Sequence, residues 1–185
     1  MQFKSILLRV FVGTGTILLM AGLSSCGRQQ KYNKPRVQEI TCVNNLKQIG
    51  LAFTLWAGDH DGRFPFNVST NDGGSLELSV VGANGFLIDP VPTFRAMSNE
   101  LKTPVILICP ENRTAKRSMD FSMIKAENVT YRIHAGTNVD NSHPGAVLVV
   151  CPVDGNTLYC DGVVATNRFG GTKTKSDEVP LLHQP

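Results

Sequence analysis

The sequence is short of charge and of long apolar runs. Asp, Glu, Lys and Arg make up only 18% of its 185 residues, and the formal net charge is +3. Near-neutrality of this kind gives no electrostatic case for nucleic acid as a partner. The apolar run Val10 to Leu23 carries only Gly and Thr as interruptions, but Arg9 bounds it on one side and Cys26-Gly27-Arg28 on the other. It falls short of the roughly 20 residues that a spanning helix needs. Catalytic and metal signatures are missing too. Neither His134 nor His143 has a Ser or Cys beside it in a nucleophile motif, so a pairing with Asp140 or Asp154 has no acid-base support. Asp59, Asp61 and Gly62 form half a calcium loop without its third oxygen ligand or distal Glu, and read as a helix-terminating turn. Cys109-Pro110 and Cys151-Pro152 lack the close Cys or His partner of a zinc knuckle. The expectation is no catalytic residue, no metal ligand and no cofactor.

What is present begins at the N-terminus. Lys4 and Arg9 form a basic region, the apolar run follows, and Leu23-Ser24-Ser25 closes it with small residues before Cys26. These are signal-peptide proportions. Leu23-Ser24-Ser25-Cys26 resembles the lipobox of bacterial lipoproteins, in which the Cys is acylated and becomes the first residue after cleavage. An uncut anchor and an ordinary signal peptide with an incidental Cys are the alternatives. Cleavage removes two of the 18 basic residues, Lys4 and Arg9, leaving 16 against 15 acidic ones, or +1. Several acyl chains on one cysteine give lasting attachment, at about 0.8 kcal/mol per buried methylene. Gly27 at the second mature position, rather than Asp, resembles lipoproteins sent on to the outer membrane. Residues 26–35 are polar and basic, with Pro35 near the end, and read as a tether.

Val37, Ile40, Val43, Leu46, Ile49, Phe53 and Trp56 recur every three or four residues, which predicts an amphipathic helix from Arg36 to Trp56. After Pro65 the pattern becomes mixed. Phe94, Met97 and Leu101 suit a short helix, and Pro104 to Cys109 is a compact apolar run expected to be a buried strand. Asn128 to His134, Gly145 to Cys151, Asn156 to Cys160 and Gly162 to Thr166 supply further strands. The expected class is α+β, a long amphipathic N-terminal helix on a small antiparallel sheet. The expected organisation is a signal peptide (1–25), a tether (26–35), one globular domain (36–168) and a mobile tail (169–185).

Four stretches carry a family resemblance: "CVNNLKQIGLAFTLWAGDHDGRFP" (Cys42 to Pro65), "VSTNDGGSLE" (Val68 to Glu77), "FRAMSNELKTPVILICP" (Phe94 to Pro110) and "LYCDGVV" (Leu158 to Val164). Together they resemble the globular part of prepilin-like proteins related to type II secretion pseudopilins, over most of Arg36 to Val164. The order and length of the Cys-x-Asn-Asn-Leu-Lys-Gln-Ile-Gly block make it the specific part. The chain departs from the family before Arg36. It has no short leader ending in Gly, no following Phe, and no apolar stem with an early Glu. His143 also stands at other intervals from Asp154-Gly155 and Asp161-Gly162 than the family's His does from its Asp-Gly. The resemblance therefore implies a pilin-like head whose polymerising anchor has been replaced by a lipid on Cys26.

With Cys26 acylated, four cysteines remain and allow three complete pairings. A Cys42–Cys109 bridge from helix to strand and buried free thiols are both open. For Cys151 and Cys160, a hairpin turn at Asp154-Gly155 is favoured over one at Gly155-Asn156, because it frees Pro152 from a ladder position and leaves the cysteines diagonal. The functional expectation is a lipid-anchored, periplasm-facing envelope protein, not an enzyme. Its expected partners are the membrane, through Cys26, and other envelope proteins of a secretion or pilus-like system. The alternative is a small-ligand or metal-binding module, or an enzyme, on the same fold, with His134, His143 and the aspartates gathered in one cleft.

Overall fold

A computed structural model describes residues 34–167. The signal segment, the acylation candidate Cys26, the tether up to Asn33 and the 169–185 tail lie outside the described residues. Among the described residues helix α1 spans Lys34–Gly58. Its buried face runs through Cys42, Leu46, Ile49, Phe53 and Trp56. The expected stripe is corrected at its start: Ile40 is 48% exposed, and Glu39 and Cys42 take the inward positions. Leu51 and Leu55 also face outward, at 58% and 53% exposure. Apolar residues thus occupy both faces of α1, so the clean amphipathic division read from the spacing does not hold.

The helix ends in a turn with Asp61 and Gly62 at positive φ, 55° and 77°, and the Gly62 amide donates to the Ala57 carbonyl at 2.9 Å. This is left-handed capping geometry. The exposed Asp61 carboxylate lies 3.6 Å from the Arg63 guanidinium, and the His60 ring stacks on Trp56 at 3.5 Å. Asp59, Asp61 and Gly62 thus lie in a helix-terminating turn.

The sheet has four antiparallel strands in chain order: β1 Arg132–Ile133, β2 Val147–Val150, β3 Thr157–Tyr159 and β4 Val164–Ala165. With α1 and the short helices α2 (Val91–Ala96) and α3 (Ser98–Leu101), it makes the class α+β. Phe94, Met97 and Leu101 are all buried, as their spacing required. Pro104–Leu107 is a 3-10 turn rather than the expected strand. Thr103 caps it, its hydroxyl accepting from the Val105 amide at 3.4 Å, and Pro104 supplies a helical φ at its first position. Short apolar runs without alternation are where strand and helical turn cannot be told apart by period.

The β2–β3 connection also differs from both two-residue turns considered. Val150 pairs with Thr157, and the Cys151 amide donates to the Asn156 carbonyl at 2.9 Å, so the turn covers Pro152 to Gly155. Pro152 thus sits where no ladder amide is needed, and Gly155 takes φ +76°. Between sheet and helix the core is filled by residues such as Phe53, Leu148, Val149 and Leu158. A Cβ on Gly50 would lie 2.9 Å from Leu158 Cδ1, so α1 and β3 approach to contact at that residue.

Candidate functional site

Cys42 sits on the buried face of α1 with no exposure. Two polar side chains of the same helix pin a second segment across from it. Gln38 Nε2 donates to the Pro110 carbonyl at 3.1 Å, and Asn45 Nδ2 to the Ile108 carbonyl at 3.2 Å. Cys109 is the residue between those two carbonyls. Asn45 and Gln38 therefore hold the Cys109 backbone in register with the helix turn that carries Cys42.

The third segment is the β2–β3 turn. Cys151 follows β2 directly, donating its amide to Asn156 and accepting the Gly155 amide on its carbonyl, each at 2.9 Å. Asp154 lies inside this turn, where its Oδ1 accepts the Asn156 amide at 3.2 Å. Its Oδ2 points at Cys109 Sγ, 3.7 Å away. The three sulfurs and one Asp154 carboxylate oxygen all lie within 4.8 Å of one another. The three cysteines are fully buried and Asp154 is 6% exposed.

A second ring of polar groups orients this set. Tyr131, also buried, directs its hydroxyl to Cys42 Sγ at 3.5 Å and accepts from Asn45 Nδ2 at 3.5 Å. Burial, before its neighbours, pushes the Tyr131 phenol up. Among the sulfurs, hydrogen bonds from Cys151 and then Cys42 draw the Cys109 thiol down. The bond to Cys109 is in turn the first cause that pushes both Cys42 and Cys151 up. Ionised Cys109 cannot also donate to Asp154. Loss of its proton sets two anions side by side in the buried interior, which is costly unless a cation accompanies them.

All four cysteines among the described residues are free thiols. Cys42 and Cys109, weighed above as a bridge, are neighbours without a bond between them. Cys160 stands outside the cluster, its amide bonded to the Ala146 carbonyl, and burial pushes its thiol up to about 12. No family model matches the chain, nor does any curated protein or solved structure.

The remaining candidates do not gather at one place. His143 is exposed in the loop before β2, where Asp140 Oδ1 lies 2.8 Å from its Nδ1 and 2.6 Å from the Ser142 hydroxyl. His134 packs edge-on against Phe86 at 5.2 Å, its Nδ1 is buried without a hydrogen-bond partner, and burial lowers its pKa. Asp161 accepts the amide of Val163 at 2.9 Å in the β3–β4 turn. Asp154 alone joins a chemically distinctive group, and it joins cysteines rather than histidines. The signal in the sequence was the spacing Cys151-x-x-Asp154, that of one half of a zinc knuckle with a carboxylate in the second place.

Proposed function

We propose that this chain is a lipid-anchored, non-enzymatic protein of the cell envelope, whose pseudopilin-like head has a structural or assembly role accessory to a type II secretion or pilus-like system. The observation that carries the reading is the quartet Leu23-Ser24-Ser25-Cys26, which closes an apolar run and is followed by a polar, basic stretch up to Pro35. Among the described residues no helix is long and apolar enough to cross a membrane. The head faces the periplasm, with the outer membrane its destination because Gly27 follows Cys26.

The non-enzymatic reading is supported by the different settings of the two histidines, His134 against Phe86 and His143 with Asp140 in its own loop. A metal-binding module on the same fold is the second reading, favoured by the buried cysteine cluster. Cys26→Ser tests the anchor. It is expected to abolish incorporation of labelled palmitate and to release the protein into the soluble fraction. Unchanged membrane retention contradicts the anchor, and an unacylated N-terminus by mass spectrometry does so independently. In-cell cross-linking identifies the partners.

A further inference from the structure

We infer that Cys42, Cys109, Cys151 and Asp154 form a structural zinc centre that ties α1, the segment after the Pro104–Leu107 turn and the β2–β3 turn together. The donor set carries the inference. Three thiolates and one carboxylate make four ligands of the kinds zinc takes, and no fifth group is needed for a closed tetrahedral site. With zinc–sulfur bonds of about 2.3 Å and zinc–oxygen bonds of about 2.0 Å, tetrahedral geometry sets ligand atoms about 3.5 to 3.8 Å apart. The four atoms here already lie within 4.8 Å of one another, and the Cys109 Sγ to Asp154 Oδ2 separation is 3.7 Å. Shifts of about 1 Å or less in the ligand separations would therefore close the site.

The surroundings fit a cation better than they fit a bridge. Three thiols are an odd number, so any one disulfide leaves a third sulfur beside the buried Asp154 carboxylate. A divalent cation uses all four at once. Tyr131 and Asn45 supply the outer hydrogen bonds that a thiolate ligand needs: the Tyr131 hydroxyl points at Cys42 Sγ, and Asn45 fixes both Tyr131 and the segment bearing Cys109. Each ligand comes from a segment whose backbone is held by other bonds, as a preorganised site requires. The closed four-ligand set leaves no position for substrate, so the role is structural.

The site is tested on the intact chain, purified in detergent under reductant, stripped with a chelator and titrated with cobalt(II). The expected result is one cobalt per chain, with sulfur-to-cobalt charge-transfer absorption and the strong visible bands of a tetrahedral centre, displaced by one equivalent of zinc. Zinc is also expected to raise the melting temperature of the stripped protein. Cys109→Ser should remove the charge-transfer absorption, while Cys160→Ser, outside the cluster, should keep it. Because Cys109→Ser is a core change, Asp154→Cys serves as the second variant: it should bind cobalt with stronger charge-transfer absorption from a fourth thiolate. Tyr131→Phe should weaken zinc binding by about 10-fold to 100-fold, the usual effect of removing an outer-shell partner. The inference is overturned if the folded, reduced chain binds no stoichiometric cobalt or zinc. It is equally overturned if protein isolated without reductant carries a disulfide among Cys42, Cys109 and Cys151 and no metal.

Discussion

Two polar clusters of this molecule are built in opposite ways. Asp140, Ser142 and His143 bond to one another within a few residues of chain, at the surface. Cys42, Cys109, Cys151 and Asp154 meet in the interior from three distant segments. The first needs only a turn; a short polar side chain that accepts from a neighbour two or three residues on makes such an arrangement wherever the loop lets it. The second exists only when helix, 3-10 turn and sheet have all docked, so its polar atoms are desolvated at the expense of the whole fold's stability. Polarity gathered by the chain's own proximity says little about function, whereas polarity gathered against the hydrophobic effect asks for a reason.

That contrast can be broken at several strengths. Phe53→Asp should have the largest effect. Phe53 is fully buried against Phe64, 5.0 Å between ring centroids, on the face of α1 that also carries Cys42. An unpaired charge there should cost more than about 4 kcal/mol. The expected outcome is loss of the cooperative thermal transition in circular dichroism, with the cysteines becoming open to alkylation. A wild-type melt would mean the inner face of α1 has been misassigned.

Asn45→Ala sharpens the comparison at intermediate strength. It leaves the Ile108 carbonyl without its side-chain donor and takes the amide from Tyr131, at about 1–3 kcal/mol for buried groups left unsatisfied. The urea midpoint should fall while the slope of the transition stays the same. If the midpoint does not move, the helix does not pin the segment bearing Cys109.

Asp140→Asn should be the smallest change, within about 0.5 kcal/mol at neutral pH. Hydrogen bonds from Ser142 and then His143 hold the Asp140 carboxyl below its ordinary value of 3.8. A carboxyl depressed in the folded state contributes stability that is present above about pH 3.8 and is lost as pH falls below it. The variant should therefore show slightly weaker acid dependence in that range and no other difference. A large loss at pH 7 would show that the surface trio supports the fold.

The same contrast explains what could be read from the chain beforehand. The α+β class, the helix-ending Asp-Gly turn and the buried positions Leu46, Ile49, Phe53 and Trp56 follow from local period and turn chemistry. The outward placement of Ile40 was not legible, because a helix does not disclose how wide its covered sector is until its neighbours are in place. Pro104 to Leu107 misled for a related reason: in a run of consecutive apolar residues, burial on every side erases the period that separates strand from helical turn. For the cysteines, counting gave the number of pairings but not the meeting point. By residue type Asp154 groups with the histidines, since both titrate, whereas its neighbours in space include sulfurs reached across 45 and 112 positions of chain.

Gly50 shows how a residue with no chemistry of its own can shape the seat of helix on sheet. The helix rests on Leu158 where a side chain is missing, and two turns back along the same rigid rod stands Cys42. A methyl group at position 50 would press on the Leu158 Cδ1 methyl, 2.9 Å away, and that side chain would have to turn aside to admit it. The seat of the helix on β3 is thus shaped by a hydrogen atom standing where other residues carry a side chain.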